Sequence, residues 1–283
     1  MTDLTAREKG YAAVVAISVL ALAACGGPGS ATPTPPAEPP AWNHDPADAD
    51  LGPESWGSID PSFAACVDGS EQSPIDIADP VASDLPPLVF DYAVTPLVVE
   101  NTGHVIEVPM PDDGDQTLTI GEDVYRLVQY HFHAPSEHTV DGVSYDVEAH
   151  LVHQDEEGAL AVVGVFLDGD VPPSDLLDAI MANAPAEAGE EVEVGEDRSP
   201  IELLPVEGSS VEVSRYSTYS GSLTTPGCSE GVRWIVLTDT LGVSETAVDR
   251  LHELIAGFPG YGAYENNNRA TQLLNDRQIK RTE

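Results

Sequence analysis

Residues 129–133 read Gln-Tyr-His-Phe-His, and residues 148–152 read Glu-Ala-His-Leu-Val. Both runs alternate polar and apolar side chains, which is the period of a β-strand. One face of the first run carries Gln129, His131 and His133. One face of the second carries Glu148, His150 and Val152. The short stretch between them has Gly142 at its centre, so the two runs can lie side by side as antiparallel strands. Three imidazoles then converge on one point. Three histidines with one open position form the donor set of a catalytic zinc site, since a structural site would take a fourth protein ligand. Cobalt or iron can use the same imidazoles. A His-x-His pair alone is equally consistent with surface decoration or a hydrogen-bonded pair. Gln129 and Glu148 separate these readings. Each lies two residues before a histidine and points the same way, so each can accept the second ring N–H that a metal-bound imidazole must place.

The pattern continues along the chain. Gln72-Ser73-Pro74-Ile75-Asp76-Ile77 follows a run with Gly52-Pro53-Glu54, Trp56, Pro61, Phe63 and Cys66. Beyond it come Asn101-Thr102-Gly103-His104, the apolar run 160–167, and Tyr219-Ser220-Gly221-Ser222-Leu223-Thr224-Thr225-Pro226. Trp234-Ile235-Val236-Leu237 and Asn275-Asp276-Arg277-Gln278-Ile279-Lys280 complete the set. In this order and over residues 52–281, the chain resembles the α-class carbonic anhydrases, most closely their bacterial secreted branch. Three positions depart from the family pattern. In Trp42-Asn43-His44, the histidine stands where a tyrosine is usual. Pro226 is followed by Gly227, where a second proline is usual. Glu107 replaces a neutral amide that often lines the cavity.

The resemblance implies a mixed α/β but mostly β fold: a large, twisted, mainly antiparallel sheet with short peripheral helices. It implies an enzyme, a zinc-dependent lyase that hydrates carbon dioxide reversibly to bicarbonate and a proton by zinc-hydroxide attack. His131, His133 and His150 would hold Zn2+, with Gln129 and Glu148 behind them. Thr224 would accept a hydrogen bond from the hydroxide and donate its own to Glu137, because an ionised carboxylate can only accept. Thr225 would contact bicarbonate. Val152, Val162, Leu223, Val232 and Trp234 would form the wall where carbon dioxide rests, and they serve equally as ordinary core. His104 would carry the proton out, since imidazole titrates near neutrality. His138 would be buried against Glu148 or Tyr219, while His153 and His252 are structural or surface groups. Two other readings use the same fold: a catalytically silent surface binding domain, and a zinc-hydroxide esterase. Loss of a ligand histidine is the usual mark of a silent member, and none is lost here.

The N-terminus reads as a targeting segment. Arg7 and Lys9 precede a mostly apolar stretch from Tyr11 to Ala24. That stretch is too short for a bilayer, which takes about 20 residues. It ends Leu22-Ala23-Ala24-Cys25-Gly26, which resembles a bacterial lipoprotein signal with Cys25 as the lipid-bearing residue. A plain secretory signal with an incidental cysteine is the alternative. The expected organisation is a signal peptide over 1–24, a proline-rich tether over 25–41 and one catalytic domain over 42–283. Cys66 and Cys228 remain, and bacterial members of the resembled family bridge these two positions. An exported protein would meet the oxidising conditions such a bridge needs.

Charge narrows the partners. The chain carries 49 acidic against 11 basic residues, a formal charge of −38. Phosphate recognition needs basic patches, so nucleic acid is excluded as a partner. The expected partners are carbon dioxide and bicarbonate, with a membrane only through the lipid anchor. An acidic shell poor in lysine suits a salty or alkaline surrounding. The acidic run 187–197 is expected to be a solvated loop.

Strands are expected at 97–100, 105–108, 116–120, 125–133, 147–153, 159–167, 211–219 and 231–237. Two helices are expected, at 175–183 capped by Ser174 and at 245–256 capped by Ser244. The second would bury Val248, Leu251, Leu254 and Ile255 and stop at Gly257.

Overall fold

The computed structural model describes residues 41–111, 116–205 and 210–283. The expected signal peptide, Cys25 and almost all of the tether lie outside them. The described strands are, in order, β1 (Asp76–Ile77), β2 (Val81–Ala82), β3 (Leu88–Tyr92), β4 (Thr95–Asn101) and β5 (Ile106–Pro109). They continue as β6 (Gln116–Ile120), β7 (Asp123–His133), β8 (Thr139–Val140), β9 (Val147–Gln154) and β10 (Leu160–Pro173). The last are β11 (Glu190–Arg198), β12 (Ser210–Val213), β13 (Tyr216–Ser222), β14 (Glu230–Leu237), β15 (Leu241–Gly242) and β16 (Lys280–Arg281). The helices are α1 (Trp56–Ile59), α2 (Ala65–Asp68), α3 (Asp175–Asn183) and α4 (Glu245–Ala256).

All strands but β1 and β8 join one sheet whose main path runs β11-β4-β5-β7-β9-β10-β14-β13-β16-β2. Most neighbours are antiparallel, and β10 runs parallel to β14. The fold is thus the mostly β, mainly antiparallel sheet with few short helices that was expected.

Period-two alternation gives this sheet two different faces. Phe132, Leu151, Val163 and Ile235 point into the main core, where Leu177 and Ile180 of α3 and Leu251 and Ile255 of α4 meet them. His131, His133, His150, Val162 and Trp234 occupy the alternate positions and face the other way. One face therefore stabilises the domain while the other is free to carry polar groups.

Both helices begin as the capping argument requires. The Ser174 side chain accepts from the Leu176 N–H and the Ser244 side chain from the Ala247 N–H. In α4, Ala247 is buried with Leu251, Leu254 and Ile255, while Val248 is only partly buried. Gly257 ends α4 in a right-handed conformation, φ −85°.

Two expectations need correction. Residues 187–197 are not a loop: β11 pairs with β4 along the sheet edge, with a register shift where Gly195 takes φ +79°. Its acidic side chains are solvated, so its backbone pairing leaves no burial pattern to read. Residues 211–219 are not one strand either. The alternation breaks at Ser214-Arg215, where the chain passes from β12, paired with β3, to β13, paired with β14.

Candidate metal centre

Strands β7 and β9 lie antiparallel with His131 directly opposite His150. His133 is two residues further along β7, on the same face. The three rings meet, with centroids 5.0 Å apart for His131–His133, 5.3 Å for His131–His150 and 4.6 Å for His133–His150. One nitrogen from each lies within 4.8 Å of the other two.

Each ring is held by its other nitrogen, which fixes the tautomer. His131 Nδ1 lies 2.8 Å from Gln129 Oε1, so it donates and leaves Nε2 its lone pair. His133 Nδ1 donates to the Asn267 carbonyl oxygen at 2.8 Å, and its buried Nε2 has no protein partner. His150 Nε2 lies 3.0 Å from Glu148 Oε1, which turns Nδ1 towards the cluster. This contact lies off the line of a good hydrogen bond. Three lone pairs aimed at one point, with an orphaned buried nitrogen among them, fit a cation that accepts imidazole nitrogen.

Burial depresses the pKa of His131 well below the ordinary value and lowers that of His133, with the neighbouring imidazoles adding to the effect in His131. Neutral imidazole is the form a metal requires. Burial also opposes charge on His150, but the Glu148 carboxylate more than offsets it and raises that pKa. Glu148 is itself penalised by burial, yet His138 and His150 hold it well below the carboxylate range.

Glu148 is the hub of a buried network. Its Oε2 accepts from the backbone N–H groups of Glu137 at 2.9 Å and His138 at 2.8 Å. Its Oε1 accepts from His138 Nδ1 at 2.7 Å. His138 Nε2 must then accept, and Tyr219 Oη donates to it at 2.7 Å. Tyr219 is left to accept from Ser73 Oγ at 2.8 Å, and Ser73 Oγ accepts from the Ser222 N–H at 3.0 Å. His138 thus pairs with both Glu148 and Tyr219. His153 is structural: its Nε2 lies 2.5 Å from Tyr92 Oη in the core. His252 sits at the surface with Nδ1 2.6 Å from the Glu265 carbonyl.

Val162, Val232 and Trp234 are buried in one cluster, with Val152 and Leu223 packed at its margin. Trp234 lies 4.8 Å from the His150 ring. Thr224 is buried and Thr225 half-buried, on the loop that follows β13. Cys228 on this loop is bonded to Cys66 of α2, with Cα atoms 5.0 Å apart. Glu137 Oε1 accepts from the Arg269 N–H at 2.8 Å. Its Oε2 is buried without a partner, so the donation from Thr224 implied by the resemblance is not made here. That oxygen lies 3.8 Å from His150 Nδ1.

His104 stacks on Trp42 with centroids 3.7 Å apart and planes 6° apart. Burial pushes its pKa down to about 4 in this position. Glu107 lies opposite His131 in the β5–β7 pair, and burial, with Glu100 beside it, raises its pKa to about 7. His44 is buried, its Nδ1 2.5 Å from Tyr261 Oη.

Sequence reasoning missed Asn267, Arg269 and Tyr261. Arg269 donates to Gln72 Oε1 and to the carbonyls of Ser73 and Cys66 while lying over Trp56. The one local signal was the polar run Glu265-Asn266-Asn267-Asn268-Arg269, in which Asn267 and Arg269 alternate inward and are buried.

A sheet that presents three oriented imidazoles beside an apolar wall defines a site of the metalloenzyme kind. Comparison with known proteins makes this specific. The eukaryotic-type carbonic anhydrase family matches residues 51–283. A carbonic anhydrase of Klebsiella pneumoniae is 35% identical over 227 residues, covering 80% of this chain and 86% of the relative. The α-carbonic anhydrase of Thermovibrio ammonificans, solved with the inhibitor sulfanilamide, superposes with a TM-score of 0.75 at 36% identity, covering 86% of this chain and all of that one. The α-carbonic anhydrase of Photobacterium profundum gives 0.72 at 36% identity, covering 84% and 99%. The chain belongs to the α-class, eukaryotic-type carbonic anhydrases, a family of enzymes whose general reaction is the hydration of carbon dioxide.

Proposed function

We propose that this chain is a zinc enzyme that converts carbon dioxide and water reversibly to bicarbonate and a proton. The observation that carries the reading is the set of three imidazole nitrogens turned to one point, each with an acceptor behind its ring. His131, His133 and His150 would hold the ion. Bound there, zinc acidifies a water ligand and so supplies a nucleophile near neutral pH, chemistry of which carbonic anhydrases are the standard instance.

The remaining work falls to the chain. Gln129, the Asn267 carbonyl and Glu148 keep the imidazoles oriented and basic. Val152, Val162, Leu223, Val232 and Trp234 offer an apolar rest for carbon dioxide and exclude competing water. Glu137 Oε2 is a buried acceptor without a donor. The Thr224 hydroxyl is the group suited to donate to it, which leaves the threonine oxygen to accept from the attacking species. Thr225 hydrogen-bonds the bicarbonate. His104 takes the proton to solvent. Its stacked ring is a poor base, so it must swing into water for its pKa to return towards neutrality.

The chain would act outside the cytoplasm, tethered by lipid on Cys25. The Cys66–Cys228 bridge suits an oxidising compartment, and among the described residues no helix is long and apolar enough to cross a membrane. Stopped-flow hydration before and after removal of zinc by a chelator tests the reading. Activity should vanish and return with added zinc. A chelated protein of undiminished activity, or a zinc-loaded one with none, overturns it.

A further inference from the structure

His44 is a buried histidine beside the His131–His133–His150 cluster that the hydration reading leaves without a role, and its surroundings give it one. The residue is buried to 1% exposure, and so is the backbone that holds it. The Asn43 N–H donates to the Leu51 carbonyl at 2.9 Å, Asn43 Nδ2 donates to the Gly260 carbonyl at 2.9 Å, and Trp56 Nε1 donates to the Asn43 carbonyl at 3.0 Å. The ring cannot easily turn away.

One nitrogen is accounted for, Nδ1 against Tyr261 Oη. The other, Nε2, is buried with no partner in the protein. Orphaning a polar atom costs roughly 1–3 kcal/mol, so natural structures keep such a nitrogen only where something meets it. Around it stand the two ends of a proton's route. The His44 ring is 6.5 Å from that of the ligand His133, and Trp42, 5.2 Å away, carries His104 stacked on its face. His104 Nδ1 is likewise buried and without a protein partner. Tyr261 leans on both histidines, with centroids 5.9 Å from His44 and 6.1 Å from His104.

We propose that His44, clamped by Tyr261, is a positioning residue for proton release, holding through Nε2 a water that links the metal centre to His104. The proposal rests on the carbon dioxide hydration reading. His44 works without changing charge. Burial, with the imidazoles of His133 and His104 nearby, keeps its pKa well below the ordinary value. A neutral imidazole presents one donor and one acceptor. Whichever of these meets Tyr261, the other is offered to the water, so the ring orients that water and the proton passes along it. An imidazole is wanted here because it has a second nitrogen to offer beyond its clamp.

The test compares the parent with His44→Phe, His44→Gln and Tyr261→Phe. Regeneration limits turnover, whereas kcat/KM reports the attack on carbon dioxide. His44→Phe should lower turnover in weak buffer by roughly two- to tenfold, the worth of one hydrogen bond, and leave kcat/KM in place. Imidazole buffer should restore the loss. His44→Gln, which keeps a donor and an acceptor, should recover most of it, and Tyr261→Phe should fall between. A second readout needs no turnover. In zinc-depleted protein, nitrogen-15 NMR should show the His44 ring neutral at pH 7 and its Nε2 side in magnetisation exchange with a bound water. Unchanged turnover in weak buffer, an equal fall of kcat/KM, or a dry His44 ring each overturn the proposal. A parent enzyme that hydrates no carbon dioxide overturns the functional reading instead.

Discussion

Asn267 grips His133 through its backbone, its carbonyl oxygen 2.8 Å from Nδ1. Its side chain fixes that carbonyl in place. Oδ1 accepts from the Ala134 N–H at 2.9 Å, and Nδ2 donates to the carbonyls of Phe132 at 3.1 Å and His104 at 3.2 Å. One amide therefore ties the end of β7, the His104 turn and the orienting acceptor together. Asn267→Ala should weaken zinc binding by about 10–100-fold, the usual effect of losing support behind a ligand. Competition with a chromophoric chelator measures this, and an unchanged affinity would show that the carbonyl holds its place unaided.

Gly164 lies opposite His150 in the β9–β10 pair. A Cβ there would sit 2.7 Å from Glu148 Oε1, closer than a real contact. Glu148 is bound on every side, so it cannot yield without breaking the hold on His138 and His150. Gly164→Ala should destabilise the fold by about 1–3 kcal/mol, as overpacking does, and lower zinc affinity with it. Urea unfolding and zinc titration of the variant check both effects.

Glu107 makes the fold sensitive to pH near neutrality. Its carboxyl keeps its proton to about pH 7 when folded, against an ordinary 4.5. Between those values the native state binds more protons than the unfolded one, so stability falls as pH rises through 7. Glu107→Gln removes this penalty. At pH 8 the variant should exceed the parent by roughly 1–3 kcal/mol, the shift being discounted for partial exposure. At pH 4 the two should agree. Denaturant unfolding in the presence of a chelator at both pH values measures the difference, and a constant gap would contradict the assignment.

Much of this architecture was legible because burial follows the period of the chain. β7 and β9 show the alternation that puts Gln129, His131 and His133 on one face and Glu148 and His150 on its neighbour, and α3 and α4 carry their own serine caps. Legibility failed where side-chain pattern and backbone pairing part company. β11 pairs with β4 although nearly all its side chains face solvent. β12 and β13 are separated by a single break, the adjacent polar pair Ser214-Arg215, too slight a mark in the side-chain pattern to announce the change of partner. β3, with Leu88, Phe90 and Tyr92 buried, was not among the expected strands despite the same alternation. At the site, the Asn267 acceptor is a backbone carbonyl, which any residue type could supply. His44 and Tyr261 meet across a separation of 217 residues, and no local signal announces that contact.

Activity should depend on an ion held by His131, His133 and His150. Zinc stoichiometry, measured by elemental analysis alongside stopped-flow hydration, tests it in the parent and in His150→Ala. Circular dichroism should establish that the variant keeps its sheet. The parent should carry one zinc per chain. The variant should lose zinc and hydration together, since two remaining histidines cannot hold the ion well. A folded His150→Ala protein with a full complement of zinc and the parent's activity would show that these imidazoles do not hold the catalytic ion.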